Sequence, residues 1–229
     1  LNVSLFFGPF RAFWEFLDRS CFLTLNNYVR EHPLQQIFWA LANIRITDIF
    51  GALYLLGTFV LYVFEAKNEE RKFRGAQLLY TLIWFEISIL LCKQVLTPLL
   101  ISLGAIRHGP SVSIPHCCML SEAAPWEKIK DSSLFCYPAD HGTIVIQWCV
   151  FFIFFAGWRR SISVCLFSIF LLLPRLIAGA HWLSDLLVGS TSIVACIIAW
   201  AMYSPLYDIL FPKILQVFRY RLPKLKDST

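Results

Sequence analysis

Residues 161–204 run for about two membrane-helix lengths with only three charged or imidazole side chains among them, Arg175, His181 and Asp185. A run this apolar lies in lipid, where a helix is the one single-segment structure that satisfies its own backbone hydrogen bonds. Ionisable groups are expensive in that setting, so the three that remain are functional candidates. His181 and Asp185, four residues apart, are expected on one helical face, where the carboxylate holds an imidazole N–H. Arg175 lies six residues before the histidine and is expected to bring its guanidinium to the same anion. The trio reads as an anion site containing a nucleophile or a proton-transfer group.

The rest of the chain has the same character. Only 15% of its 229 residues are charged and 58% are hydrophobic, with a mean hydropathy of +0.63, whereas a soluble domain carries about 25% charged residues. The sequence therefore predicts an all-α, polytopic bundle of about five or six transmembrane helices. A span needs about 20 mostly apolar residues. Residues 46–64, 76–99, 142–157, 161–180 and 183–203 qualify or nearly do. Residues 1–22 are rich in Phe but broken by Gly8, Pro9, Arg11, Glu15, Asp18 and Arg19. Part of this segment reads as an interfacial amphipathic helix, and a further helix is expected over residues 33–44. The organisation expected is one membrane-embedded domain, 1–229, with interfacial helices over 1–45, a transmembrane core over 46–204 and a basic cytoplasmic tail over 205–229. The first residue is Leu, which points to an upstream segment or an alternative start codon.

Lysines and arginines orient the bundle. They cluster in the connection 65–75 (Lys67, Arg71, Lys72, Arg74), in the third connection (Arg159, Arg160) and after Phe211 (Lys213, Arg219, Arg221, Lys224, Lys226). With five spans these places share one side, and the positive-inside rule makes it cytoplasmic. The net charge of +5 is thus a topology signal rather than a nucleic-acid surface. The long loop 100–141 and the turn near Ala180 then face outward together.

Three blocks meet at that outer face: Lys93 to Pro110, with Arg107-His108-Gly109-Pro110; Tyr137-Pro138-Ala139-Asp140-His141-Gly142; and the Arg175/His181/Asp185 run. Two histidines, two or three cations and an aspartate suit phosphoryl transfer through a phosphohistidine. One imidazole attacks phosphorus, the other protonates the departing oxygen, and the cations stabilise the equatorial oxygens. A helix beginning at His141-Gly142 would turn backbone N–H groups toward the anion. No metal-ligand spacing occurs, and no metal or organic cofactor is expected.

These residues resemble the type-2 phosphatidic acid phosphatase superfamily. Its pattern has a Lys-x6-Arg-Pro block, a Pro-Ser-Gly-His block and an Arg-x5-His-x3-Asp block. The third matches in full at Arg175, His181 and Asp185. In the second, Pro138 and His141 match, and Ala139 and Asp140 replace Ser and Gly. In the first, Lys93 and Arg107 are fourteen apart and Pro110 comes three residues later. The departures, together with Ala40-Leu41-Ala42-Asn43-Ile44-Arg45-Ile46-Thr47-Asp48, Phe13-Trp14, Asp18 and Asn26, resemble the lipid A 1-diphosphate synthases of Gram-negative inner membranes.

That resemblance implies a transferase that moves the distal phosphate of undecaprenyl diphosphate onto the 1-phosphate of lipid A, at the periplasmic face of the bacterial inner membrane. Lipids and the bilayer are its expected partners; nucleic acid is not. It implies His181 as nucleophile, Asp185 as its orienter, and His141 as general acid and then base. Arg107 and Arg175, with Lys93, hold the phosphoryl group. It also implies a membrane helix upstream of Phe13. Two other readings stay open: a hydrolase with water as acceptor, and a non-enzymatic transporter or scaffold.

Several residues have blander readings. Lys93 either contacts phosphate or pairs with Glu86, seven residues earlier on one face. Asp140 either caps the helix or tunes His141. Arg45 and Asp48 are expected as a local ion pair, His108 and His116 as solvated loop residues, and Trp182 as part of an interfacial aromatic belt. Cys136 is placed to pair with Cys117 or Cys118 if their loop faces an oxidising compartment.

Overall fold

The computed structural model describes residues 10–220, and their regular structure is entirely helical. Helix α1 covers Arg11–Arg30, α2 Pro33–Ala42, α3 Arg45–Glu65 and α4 Asn68–Leu90. A π-helical turn, Leu91–Leu96, carries α4 into α5, Thr97–Ser102. The long connection that follows holds two one-turn helices, α6 (Pro110–Ser113) and α7 (Leu120–Ala123). Then come α8 (Asp140–Ala156), α9 (Trp158–Ile177), a second π turn (Asp185–Ser190) leading into α10 (Thr191–Tyr203), and α11 (Pro205–Val217). Residues 1–9, part of the expected interfacial segment, and the tail cations Arg221, Lys224 and Lys226 lie outside the described residues.

Among the described residues, four helices are long and apolar enough to cross a membrane: Arg45–Glu65, the rod Asn68–Ser102, Trp158–Ile177 and Asp185–Tyr203. The fifth expected span, α8, has 17 residues. At 1.5 Å per residue that is about 25 Å, slightly short of a hydrocarbon core of about 30 Å. Its position accounts for its composition, because α8 packs against α3, α4, α9 and α10. It therefore buries residues all round, including Val145, Trp148, Phe151 and Phe152, and needs no polar face. Phe59 of α3 is fully buried and meets Tyr62, Trp148 and Phe152 edge-on, with ring centroids 5.8, 5.8 and 5.3 Å away.

One end of the bundle collects the basic clusters. Arg160 lies 3.5 Å from Glu65, Arg74 lies 3.9 Å from the same carboxylate, and Lys72 donates to the Arg219 carbonyl at 3.4 Å. The first connection, the third connection and the end of α11 thus share an end, as the charge count requires. The sequence reading stops the helices at Tyr203 and misses α11, whose Phe211, Ile214 and Leu215 pack against Ala76 and Tyr80 of α4.

The N-terminal region departs from a simple amphipathic helix. The buried face of α1 carries Asp18, Phe22, Asn26 and Val29, while Phe13 and Phe16 are exposed. Its inward face is therefore half polar. Asn26 donates to the carbonyls of Cys118 (2.9 Å) and Ile177 (3.2 Å) and accepts from the Cys118 N–H. This side chain ties α1 and the long connection to the end of α9. The pairing open to Cys136 is not made among the described residues: Cys117, Cys118 and Cys136 are free thiols, and Cys136 is fully buried with its thiol on the Arg107 carbonyl.

Candidate active site

The turn after α9 builds the centre. Gly179 has φ +80°, a conformation that favours glycine. A Cβ there would also sit 2.9 Å from both the Ser111 nitrogen and the Phe22 ring. The tight turn lets His181 N–H donate back to the Arg175 carbonyl at 3.3 Å. His181 therefore sits in a turn and not on a helix, correcting the expectation of a shared helical face with Asp185.

The two residues still approach one another, but differently. His181 Nδ1 is 2.8 Å from the Cys136 carbonyl oxygen and 3.9 Å from Asp185 Oδ2. A carbonyl only accepts, so Nδ1 is the donor and the neutral ring keeps its lone pair on Nε2. Nε2 is buried and has no hydrogen-bond partner among the described residues. Burial pushes the imidazole down to about 4; the neighbouring Lys130 and Arg175 charges act in the same direction and the Cys136 carbonyl opposes them.

The Cys136 carbonyl is itself positioned by the first block. The Cys136 N–H donates to the Arg107 carbonyl at 3.0 Å, and Gly109 N–H donates to the Ser133 carbonyl at 2.8 Å. Blocks one and two thus lie side by side over the His181 turn. Glycine lets α8 close on the second π turn: a Cβ on Gly142 would stand 2.4 Å from Leu186 and 2.6 Å from the Ser190 hydroxyl. That hydroxyl donates to the Ala139 carbonyl at 3.0 Å. Both π turns carry candidate residues, Lys93 in one and Asp185 in the other, and such turns are frequent at functional sites.

The cations are held by carboxylates. Arg107 reaches Asp18 at 2.5 Å, Ser184 Oγ at 2.9 Å and Asp185 at close range. Asp18 also accepts from the Ser184 N–H at 2.8 Å and its hydroxyl at 2.6 Å. Asp185 caps its own turn by accepting from Trp182 N–H at 2.8 Å. Arg175 meets Asp48 Oδ2 at 2.5 Å and donates to Asn43 Oδ1, while Asn43 donates to the Lys130 carbonyl at 3.0 Å. The other oxygen of Asp48 is 3.3 Å from His141 Nε2. Asp48 is thus shared by a cation and a histidine from two other helices, correcting the local Arg45–Asp48 pair.

Lys93 faces Asp140 at 3.9 Å, across to α8 and away from Glu86. The π turn accounts for this, because it shifts the helical register between positions 86 and 93. Asp140 is the first residue of α8 and not its N-cap, which is Ala139; its carboxylate accepts from the His141 N–H at 2.7 Å. Trp182 is buried among Phe22, Ile114 and Cys136, donates to the His108 carbonyl at 2.8 Å and lies under Arg107; it belongs to the core and not to an interfacial belt. His108 and His116 are exposed, as expected.

His181, Arg175 and Asp185 are at most 5% exposed, whereas the side chains of Asp48, His141 and Lys93 are 27%, 34% and 57% exposed. The arrangement is closed around the His181 turn and open at Asp48, His141 and Lys93. Beside it a cavity of about 520 Å³ shares Asp18, Arg107 and Trp182 but includes neither His141 nor His181. Among the described residues no group of three or more His, Cys, Asp or Glu side chains is set to hold a metal ion. Sequence reasoning underrates Asp48 and gives no role to Ser184 or Lys130. The available signal was Asp18, Asn43 and Asp48 themselves: polar groups in or beside apolar helices, each of which binds an arginine.

No family model matches the chain, and no solved structure matches it. It is 25% identical to lipid A 1-diphosphate synthase of Escherichia coli (strain K12) over 211 residues, which cover 92% of this chain and 85% of that protein. Over most of its length, this all-helical membrane protein is similar to an enzyme named for making lipid A 1-diphosphate.

Proposed function

We propose that the protein is a lipid phosphotransferase that moves the distal phosphate of undecaprenyl diphosphate to the 1-phosphate of lipid A through a phosphohistidine on His181, at the periplasmic face of the bacterial inner membrane. The observation that carries the reading is the state of His181. Its Nδ1 proton is committed to the Cys136 carbonyl, and its Nε2 lone pair is buried without a partner among the described residues. A neutral imidazole with one nitrogen pinned and the other bare is a nucleophile. The similarity to lipid A 1-diphosphate synthase supports lipid phosphates as its substrates.

In the first half-reaction Nε2 attacks the distal phosphorus. The N–P bond forms, the P–O bond to undecaprenyl phosphate breaks, and His141 gives the departing oxygen a proton. In the second half-reaction His141 takes the proton from the acceptor phosphate, whose oxygen attacks phosphorus as the N–P bond breaks. Asn43 and Asp48 engage only part of the Arg175 guanidinium, leaving further N–H donors for phosphate oxygens; Lys93 brings a second cation from the open side. Arg107, held between Asp18 and Asp185, fixes the turn that carries His181. The backbone N–H groups at the start of α8 add dipoles of the same sense as the cations.

Purified protein given undecaprenyl diphosphate labelled in its distal phosphate, with and without lipid A, tests the acceptor. Label on lipid A supports the transferase. Release of inorganic phosphate alone, with lipid A present, assigns a hydrolase instead.

A further inference from the structure

We infer that Asp48 is a positioning residue for the acid–base step: its carboxylate holds the Nε2–H of His141, so that the proton exchanged with the leaving and attacking oxygens is the one on Nδ1. The inference rests on the phosphotransfer reading above.

The geometry has few other interpretations. Asp48 lies in the first turn of α3, and its two oxygens go to different partners: Oδ1 to His141 Nε2 at 3.3 Å, Oδ2 to Arg175 Nη2 at 2.5 Å. A carboxylate oxygen at that distance needs a proton on Nε2, because two lone pairs would repel. Arg175 in turn fixes the carboxylate, and Asn43 fixes Arg175. The chain Asn43–Arg175–Asp48–His141 joins α9 and α3 to the start of α8. It is arranged as a carboxylate orienting an imidazole, the pairing expected first between Asp185 and His181 and occupied there by a backbone carbonyl.

The consequence is chemical. With Nε2–H retained, His141 alternates between imidazolium, with a proton on both nitrogens, and neutral imidazole protonated on Nε2 alone. The neutral form then has a single basic nitrogen, Nδ1, ready for the acceptor's proton. The other charges near His141 are Asp140 beside it, Arg175 from α9, Lys93 and Lys130 acting by way of Asp140, and His181 when protonated. Among these, Asp48 is the carboxylate on the ring nitrogen itself, and its removal takes away the contact that favours the charged ring.

Single-turnover release of undecaprenyl phosphate, followed across pH, tests this. Asp48→Asn is expected to slow release about 10- to 100-fold, within the range that general acid–base catalysis supplies, and to move the alkaline limb of the rate profile to lower pH. In a His141→Ala background the same change is expected to cost clearly less, leaving only what its contact with Arg175 contributes. Asp48→Glu keeps a carboxylate at an altered distance and is expected to move the limb the same way by less, which serves if Asp48→Asn does not fold. An alkaline limb unmoved in the folded variants, or an Asp48→Asn loss of equal size with and without His141, overturns this role alone. Wild-type protein that forms no phosphoenzyme overturns the function reading, and this role with it.

Discussion

The Nδ1 nitrogen of His181 is 2.8 Å from the carbonyl oxygen of Cys136, and the carboxylate of Asp185 stands 3.9 Å away from the same nitrogen. The tautomer of the proposed nucleophile is thus set by backbone. Where a carboxylate alone holds a catalytic imidazole, exchanging Asp for Asn costs about 10⁴-fold by favouring the wrong tautomer. Here Asp185→Asn is expected to lower phosphotransfer by roughly 10- to 100-fold, the usual scale for an indirect contact. A steady-state assay of purified variants checks it, and a loss near that of His181→Ala would mean that Asp185 holds the ring.

A histidine held neutral by burial couples stability to pH. The folded imidazole titrates at about 4 and the unfolded one at about 6.5. Between these values the unfolded state binds more protons, so stability rises with pH and is lost as pH falls through the window. By about pH 4 the loss amounts to about 3 kcal/mol. Thermal unfolding in detergent, measured from pH 7 to 4, is expected to fall more steeply for the wild type than for His181→Ala. Parallel curves would contradict a neutral, buried imidazole.

Asp18 is expected to matter for folding before chemistry. It is 2% exposed and receives hydrogen bonds from Arg107 and from both donors of Ser184. Asp18→Ala leaves Arg107 with one carboxylate and a buried N–H without its partner. Breaking a buried ion pair in this way costs about 3–5 kcal/mol. The melting temperature of the variant reads the loss, and a wild-type value would show that Asp18 is dispensable to the His181 turn.

Gly142→Ala probes the contact between α8 and the second π turn. Its Cβ would meet Leu186 and the Ser190 hydroxyl at 2.4 and 2.6 Å. Overpacking of this kind costs about 1–3 kcal/mol, and it is expected to disturb the contact of His141 with Asp48. Activity is expected to fall further than stability alone explains, when both are measured on the same preparation.

Much of this was legible in the sequence, for identifiable reasons. Apolar runs and the spacing of basic clusters carry the spans and their shared end, because lipid leaves a chain few alternatives. Arg175, His181, Asp185 and His141 stand out because charge is rare in such runs. The wiring between them does not follow from spacing. The turn at Gly179 takes His181 off the helix, a π turn rotates Lys93 away from Glu86, and tertiary packing delivers Asp48 and Asp18 to arginines from distant segments. Helix α11 was hidden by Pro205, Pro212 and the basic residues around it, which read locally as a tail.

The central claim is that the phosphoryl group passes through His181. Incubation with distally labelled undecaprenyl diphosphate in the absence of lipid A, rapid quenching and mapping of the modified peptide tests it directly. The expected result is an acid-labile, base-stable phosphoryl group on His181, absent from His181→Ala and discharged by lipid A. A phosphoryl group on another residue, or transfer that persists in His181→Ala, would contradict it.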